Sequence, residues 1–346
     1  MSPLDGMIEV TNLQKTYPGR GGILKSDPVH AVKGVSFTIP SRGAAIFVGE
    51  SGCGKTTIGR ILSGLESFDA GDIVIHGSRL SAMRGVKRQQ LLQKVQLIQQ
   101  DPYAALNPAR TVWQSLEAPL ALMAKRHQRD KHWMYRRAQE VLRLVGLNPE
   151  VVLPKYPHML SGGQRQRVVI ARALTVEPQL LIADEAVSMI DVSLRLGILA
   201  LLRRLREEAG IALLFITHDI AAARYVGHDG VMYVIYQGQI VESGPTENLI
   251  KSPVHPYTQA LLSAVPVLQG IEEAGKDRYI PVNAFQSQAA TGCAFHPRCR
   301  WAAGRCSAEP PVLVPWDESR GHWHRCFYPT PRQVVAQRME GIGDGR

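Results

Sequence analysis

The sequence lacks any apolar run that approaches the roughly 18 residues of a membrane-spanning helix. Its first residues, MSPLDGMIEV, have neither the basic start nor the apolar centre of a signal peptide. We therefore expect a chain that is made and kept in the cytosol. With 346 residues, of which 45% are hydrophobic, the chain is long enough and apolar enough for a globular protein of more than one domain.

Signals of nucleic-acid binding are also scarce. The formal net charge is +10, and basic clusters occur at 84–88, 125–137 and 203–206. Such clusters can face nucleic acid or an anionic membrane, but a solvated helix face explains them more often. Because no aromatic-interleaved basic strand, recognition helix or zinc-finger spacing is present, we expect no nucleic-acid partner.

Cysteine is absent between positions 54 and 292, and Cys53 stands alone before that gap. The other four are Cys293, Cys299, Cys306 and Cys326. In a cytosolic chain such a group favours metal binding over disulfides. Their C-x5-C-x6-C-x19-C spacing has none of the C-x2-4-C knuckles of structural zinc sites, whereas a 4Fe–4S cluster accepts thiolates from loops of varied length. The alternatives are unliganded thiols and Zn²⁺, for which nearby side chains are His296, His322 and His324.

A glycine-rich stretch, GESGCGKTT, follows the apolar run AAIFV and precedes the amphipathic segment IGRILSGL. It fits G-x-x-x-x-G-K-[ST], and a strand before it and a helix after it are the context that a phosphate loop needs. Lys55 is expected to reach the terminal phosphates and Thr56 to bind Mg²⁺, while the loop amides cradle the anion. The residues expected to contact ATP here are Gly49, Glu50, Ser51, Gly52, Cys53, Gly54, Lys55, Thr56 and Thr57.

Short apolar strands alternate with helical patterns along most of the chain. After a strand-rich first hundred residues, the pattern predicts a helical insertion from Thr111 to about Leu147. Further on, QLLIADE and IALLFITHD are predicted to form buried strands around another helix. This alternation predicts an α/β fold with a parallel sheet covered on both faces. VMYVIYQGQIVESG is predicted to be a hairpin that turns at Gln237–Gly238. Beyond 250 periodicity fades, which predicts a small irregular unit.

Two carboxylates end the strand QLLIADE, and a histidine follows the strand IALLFIT. Beside a phosphate loop, Asp184 is expected to hold Mg²⁺ through water and Glu185 to orient or deprotonate the attacking water. His218 is a candidate contact for the γ-phosphate. Without the phosphate loop, a solvated pair of carboxylates and a structural histidine would be the better interpretation.

A second anion site is predicted at LSGGQRQRVVIARAL, where Ser161, Gly162, Gly163 and Gln164 open a helix. Because it lies in the helical insertion, we expect it to serve the nucleotide of a second copy arranged head to tail. At LSGGQ the sequence resembles the ATP-binding cassette (ABC) family of transport ATPases. This resemblance implies a P-loop NTPase core with a helical signature subdomain at about 104–164. It also implies that each ATP lies between the phosphate loop of one subunit and the signature of the other.

The resemblance assigns further residues by position. Tyr17 in KTYPG matches the aromatic residue that stacks on adenine, and Gln100 matches the glutamine that contacts Mg²⁺ and senses the membrane subunit, with Gln99 as the competing register. Asp191 matches the aspartate of the loop that crosses the dimer. This loop reads DEAVSMID rather than the DEPVSALD usual in similar peptide importers: Ala186 replaces proline, and Met189 and Ile190 replace alanine and leucine.

Three further motifs, two of them in the tail, make the resemblance more specific. QDPYAALNPAR, SPVHPYTQALLSAVP and GCAFHPRCRWAAGRC are similar to the ATPases of the dipeptide, oligopeptide and nickel importers. That group implies an importer-type extension over 251–346 after a nucleotide-binding domain at 1–250, and a 4Fe–4S cluster on the four tail cysteines. It also implies a homologous partner ATPase, two membrane permeases and an extracytoplasmic solute-binding protein, with this chain on the cytoplasmic face of the membrane. A heterodimer is favoured over a homodimer.

A soluble cassette ATPase of DNA repair or translation is the alternative function, and the positive charge would suit it. Such proteins usually carry two cassettes or a long coiled-coil insertion, neither of which the sequence contains. A binding module with a decayed site is disfavoured because Lys55, Glu185 and His218 are all present.

Overall fold

The computed structural model describes residues 6–19, 27–263 and 291–332. Within these ranges the strands are β1 (Gly6–Tyr17), β2 (Val29–Pro40), β3 (Ala44–Val48), β4 (Ala70–Ile75), β5 (Ser78–Arg79), β6 (Val95–Ile98), β7 (Leu180–Asp184), β8 (Ala212–Thr217), β9 (Val231–Tyr236), β10 (Gln239–Pro245), β11 (Val314–Asp317) and β12 (His322–His324). The α-helices are α1 (Lys55–Leu62), α2 (Gly85–Gln93), α3 (Pro102–Ala105), α4 (Val112–Arg126), α5 (Lys131–Leu144), α6 (Pro149–Val152), α7 (Gly162–Leu174), α8 (Val192–Glu207), α9 (Ile220–Gly227), α10 (Thr246–Lys251), α11 (Pro256–Ser263) and α12 (Gly304–Ala308).

The chain divides into two compact units, one of residues 1–45 and 55–217 and the other of residues 46–54 and 218–346. This division is based on contacts within the chain and does not test the domain boundary predicted from the sequence near residue 250, which stays a prediction. Over the described ranges, no helix is both long enough and apolar enough to cross a membrane.

The first unit combines an antiparallel sheet, in the order β2-β1-β4-β5, with parallel strands in the order β8-β7-β6. β7 and β8 are buried at every position, as the apolar runs QLLIAD and IALLFIT predict. Helix α1 packs on these strands closely enough that a Cβ atom at Gly59 would lie 3.2 Å from Ile216 and 3.3 Å from Ile182. The predicted parallel pairing is therefore confirmed for these strands.

Between β6 and β7 the chain is helical, as predicted. Helices α4 and α7 each begin with a capping box, in which the N-cap side chain accepts from the third backbone N–H of the helix and the third side chain accepts from the N-cap N–H. Thr111 and Gln114 form the first box, and Ser161 and Gln164 form the second. These caps fix where α4 and α7 begin.

In the second unit the predicted hairpin is confirmed. Strands β9 and β10 pair antiparallel on either side of Gln237 and Gly238, whose φ angles are 45° and 80°. Two left-handed residues in a two-residue turn match the right-handed twist of the strands. β12 then covers the other edge of β10, pairing His324 with Glu242, and β11 pairs with β12.

A buried carboxylate joins the hairpin to the tail. Glu242 is fully buried, and its two oxygens accept hydrogen bonds from the backbone N–H groups of Val254 (2.8 Å) and His255 (3.1 Å). The ring of His322 lies 2.8 Å from the same carboxylate. A buried carboxyl group needs such hydrogen-bond partners, so this network holds the segment after α10 and strand β12 against β10.

The prediction of an irregular unit after residue 250 is wrong for part of the tail. Helix α11 follows directly, and the later described residues include α12 and the paired strands β11 and β12. These elements are short, and β12 takes its partner from a strand 80 residues earlier, so local periodicity carries no signal of them.

Candidate nucleotide-binding site

The glycine-rich loop follows β3 and contains backbone angles that residues with side chains rarely adopt. Gly52 and Gly54 have φ angles of 79° and 103°, in the region that favours glycine. At Gly49 an added Cβ atom would lie 2.2 Å from the carbonyl oxygen of Ile235 and 2.9 Å from the Cys53 sulfur. The loop is therefore built for close approach of its own backbone, which is what an anion-binding nest of amides requires.

At the head of α1, two motif residues lie beside the first of the predicted carboxylates. Lys55 is 4% exposed, and the Thr56 hydroxyl donates to Oδ1 of Asp184 at 3.1 Å. Burial raises the pKa of Asp184, while the hydrogen bond from Thr56 and the charge of Lys55 oppose this rise. A hydroxyl next to a buried carboxylate is a donor set that suits Mg²⁺, which takes oxygen ligands and keeps several waters.

Glu185 has a φ angle of 47°, which is unusual for a residue with a side chain. Its N–H donates to the carbonyl of Ile216 at 2.9 Å, and its carbonyl accepts from both the N–H and the hydroxyl of Ser188. These bonds hold the strained backbone in place. Glu177 and Gln237 also have positive φ angles, so this backbone conformation alone does not mark a catalytic residue, and the role of Glu185 stays a prediction.

The loop after Glu185 carries the three departures from the importer pattern. Ala186 and Ile190 are buried, whereas Met189 is 56% exposed. Asp191 occupies the N-cap position of α8 but makes no side-chain capping bond, and it is exposed. Two of the departures are thus packed within the fold, and only Met189 changes the surface.

The remaining predicted residues lie at element ends. Tyr17 ends β1, with the amine of Lys15 5.2 Å from its ring centre, and His218 follows β8 as an exposed residue of the second unit. Gln99 and Gln100 are both exposed after β6, so the register between them stays a prediction. The signature residues 161–164 form the start of α7, where an added Cβ atom at Gly162 would meet only the Tyr103 hydroxyl, at 4.0 Å.

Two residues at the phosphate loop were missed by sequence reasoning. The N–H of Glu50 donates to the Tyr257 hydroxyl at 2.9 Å, and both oxygens of the Glu50 carboxylate accept from the Arg298 guanidinium at 2.8 and 2.9 Å. Tyr257 and Arg298 lie 207 and 248 residues further along the chain, and no spacing rule connects positions so distant.

The four tail cysteines line one cavity, together with Phe295, His296 and Trp301. Burial raises the pKa of Cys299 to about 11 and that of Cys326 to about 12, and the neighbouring thiols add to both shifts. In the described part of the chain, no set of three or more His, Cys, Asp or Glu side chains is arranged to hold a single metal ion.

Comparison with known proteins identifies the family. Residues 32–188 match the ABC transporter family, and residues 241–306 match the C-terminal region of oligopeptide/dipeptide transporters. The chain is 41% identical over 321 residues to the probable peptide ABC transporter ATP-binding protein y4tS of Sinorhizobium fredii, an alignment that covers 91% of this chain and 88% of the relative. It is 36% identical over 325 residues to the di/tripeptide transport ATP-binding protein DppF of Pseudomonas aeruginosa, covering 93% and 98%.

A solved dimeric ATP-binding cassette, in a post-hydrolysis state with ADP and Pi, shares the fold. It superposes with a TM-score of 0.60 at 28% identity over 69% of this chain and 99% of that chain. The predicted α/β cassette fold is thereby confirmed. Because its residues 32–188 match this family and the two relatives align over more than nine-tenths of its length, the chain belongs to the ABC transporter family of ATPases.

Proposed function

We propose that this chain hydrolyses ATP to power an importer of peptides or a related small solute, as one half of an ATPase dimer beneath two permeases. Family membership carries the ATPase activity, and the relatives named above are peptide transport proteins. The observation that carries the assignment is the contact of Thr56 with Asp184 beside the buried Lys55, which pairs a phosphate-loop helix with a metal-binding carboxylate.

The proposed chemistry is phosphoryl transfer to water. Glu185 orients and deprotonates the attacking water, His218 contacts the γ-phosphate, and Lys55 and the loop amides hold the terminal phosphates. Tyr17 stacks on adenine. Mg²⁺, when bound, would be held by Thr56, Gln100 and Asp184 and would neutralise charge on the phosphates.

We further propose that two ATPases act head to tail, each signature completing the site of the other. The solved relative is described as dimeric, which supports this arrangement. The second ATPase is a homologous chain, with a heterodimer favoured, and a solute-binding protein delivers the peptide to the permeases. The chain would then lie on the cytoplasmic face of the inner membrane.

A cleft in the first unit suits a permease. It encloses about 320 Å³ and is lined by Gln96 on β6, by Arg110 before α4 and Gln114 in its first turn, and by Arg172 on α7. The Arg172 guanidinium donates to the carbonyl of Ala105 at 2.6 Å, and this bond fixes the position of the side chain in the cleft wall. We propose that a cytoplasmic helix of a permease docks here, close in sequence to Gln99 and Gln100.

The assignment can be tested by purifying the tagged chain from membranes of its source. We expect two hydrophobic permeases and a second ATPase to co-purify, and this complex in liposomes to hydrolyse ATP faster when peptide-loaded binding protein is added. Lys55→Ala should remove ATP binding at this subunit, because it deletes the cation nearest the terminal phosphates. Co-purification with nucleic acid or ribosomes instead would favour the alternative of a soluble cassette ATPase, which the match to a transporter C-terminal region does not support.

We also propose that the tail cysteines Cys293, Cys299, Cys306 and Cys326 hold a 4Fe–4S cluster. Such a cluster takes one thiolate at each of four irons, so its ligands surround a volume and need not converge on one point as zinc ligands do. Thiols around one cavity fit that requirement. Zn²⁺ stays the alternative. Of its three candidate histidines, His296 lines the cavity, whereas His322 and His324 are not among the lining residues and the ring of His322 contacts Glu242.

Protein purified without oxygen should be brown, with broad absorption near about 400 nm and about four irons per chain. Serine at any one of the four tail cysteines should bleach this colour, while Cys53→Ser, at a buried cysteine of the phosphate loop, should leave it unchanged. Colourless anaerobic protein with about one zinc per chain would support the alternative. Metal-free protein with a protease-resistant tail would contradict both.

A further inference from the structure

The phosphate loop, where a triphosphate anion is expected to bind, contains the carboxylate of Glu50. Its side chain is 46% exposed, and it lies five positions before Lys55 in the motif. An ionised carboxylate beside bound phosphates repels them, and this repulsion is strong wherever water is partly excluded. Nucleotide binding by this loop therefore requires a cationic group that offsets the charge of Glu50.

The tail supplies such a group, the guanidinium of Arg298. Arg298, whose side chain is only 12% exposed, donates two parallel hydrogen bonds to Glu50 at 2.8 and 2.9 Å. Bidentate pairs of this type are stronger and more directional than a single charged hydrogen bond. The bond from Glu50 raises the pKa of Arg298, so the guanidinium is charged at every physiological pH.

The guanidinium is itself held by aromatic rings. It lies 5.8 Å from the ring centre of Tyr236 and 5.6 Å from that of Phe295, within cation–π range. Tyr257 packs against both rings, at 4.5 and 5.4 Å, and its hydroxyl accepts the N–H of Glu50. Both the side chain and the backbone of Glu50 are thus fixed by one aromatic cluster.

The same segment connects this cluster to the cysteines. Consecutive turns run from Cys293 to Cys299, in which His296 N–H donates to Cys293 and Cys299 N–H donates to His296. Phe295 and Arg298 lie between those two cysteines. Whatever fixes the cysteines consequently fixes the position of Arg298.

We propose that Arg298 and Tyr257 are positioning residues of the nucleotide site: they neutralise and orient Glu50, so that the affinity for ATP depends on the tail. The inference rests on the proposed role of the phosphate loop in binding ATP. It assigns no contact between Arg298 and the reacting atoms, and its effect falls on nucleotide affinity, not on the rate of the chemical step.

The test measures binding of a fluorescent ATP analogue to the transporter complex. Arg298→Met, which keeps the approximate length of the side chain, should raise Kd about tenfold, because the carboxylate loses the two charged hydrogen bonds that offset its charge. Turnover at saturating ATP should stay within about twofold of the unmodified protein. Adding Glu50→Gln to Arg298→Met should restore Kd to within about threefold, since the repelling charge is gone.

Arg224→Met is the matched control. Arg224 makes an equally short bidentate pair with Glu247, at 2.7 and 2.9 Å in the same unit, so its loss tests an ion pair of the same type outside the loop. Its Kd should not change. Unchanged Kd in Arg298→Met, or a weakened Kd that Glu50→Gln fails to rescue, would overturn the proposal.

Two further variants cover the possibility that Arg298→Met does not fold. Arg298→Lys keeps the charge and should bind within about threefold of the unmodified protein, and Tyr257→Phe, which removes one hydroxyl, should weaken binding severalfold. Normal affinity in Tyr257→Phe would contradict the role of Tyr257. Lys55→Ala distinguishes failure of this inference from failure of the proposed function. If the phosphate loop is not the ATP site, Lys55→Ala would bind the analogue as well as the unmodified protein does.

Discussion

Glu185→Gln is expected to lower ATP turnover at this subunit's site by about a hundredfold or more while ATP binding persists. The change keeps the shape of the side chain and removes only its ability to take a proton. The backbone should not respond, because the bonds that hold Glu185 at its φ angle of 47° run through its N–H and carbonyl, to Ile216 and Ser188. Single-turnover hydrolysis and analogue binding by the same preparation would measure the two effects separately.

Glu177→Gln provides the control for this variant. Glu177 is also a glutamate with a left-handed backbone, at φ 53°, but it is exposed and its carboxylate lies 3.4 Å from Arg137. Its substitution should leave turnover unchanged. In a heterodimer the partner's site must first be silenced, and unchanged hydrolysis by Glu185→Gln under those conditions would remove Glu185 from its role.

Gly162→Glu is expected to abolish hydrolysis at the partner's phosphate loop and to leave ATP binding at this chain's own Lys55 nearly intact. The start of α7 has no acidic residue in its first turn, so its free amides and dipole favour an anion, and a glutamate would repel the partner's triphosphate. The fold should tolerate the change because space around Gly162 is open, with only the Tyr103 hydroxyl at 4.0 Å. Site-specific hydrolysis in a dimer with one tagged subunit would measure the effect.

Lys131→Glu is the matched control for Gly162→Glu. Lys131 is the first residue of α5, behind an Asp130 N-cap, and is exposed. The Lys131→Glu substitution places the same acidic side chain at the first position of a helix outside the signature, so turnover should not change. Loss of binding at the substituted chain's own phosphate loop, with the partner unaffected, would show that the head-to-tail arrangement is wrong.

The parts of the site that follow one another in sequence could be predicted. The phosphate loop, the strand end at Asp184 and the turn at Gln237–Gly238 each have their determinants within a few residues, so motif and period reveal them. The contact of Thr56 with Asp184 followed once both motifs were placed on neighbouring elements.

Partners that are distant in sequence could not be predicted. Glu242 is an isolated acidic residue in the hairpin pattern, and nothing near it indicates that His322 lies on its carboxylate. Arg298 looks like one more basic residue among the cysteines, and its pairing with Glu50 depends on the folded position of the whole tail. Roles that need a nucleotide or a second subunit, such as those of Tyr17, Gln100 and Asp191, stay predictions for the same reason.

The pairing of Glu50 with Arg298 also fixes an order of events on the ribosome. Translation proceeds at about 5–20 residues per second, so the 248 residues that separate the pair take on the order of tens of seconds to synthesise. During that interval the nascent phosphate loop exists without its cationic partner. Glu242 likewise lacks His322 until the chain has grown by 80 residues beyond it. Both contacts are therefore present only after residue 322 has been synthesised, and under the proposal above the full affinity for ATP is not reached before residue 298 has been added.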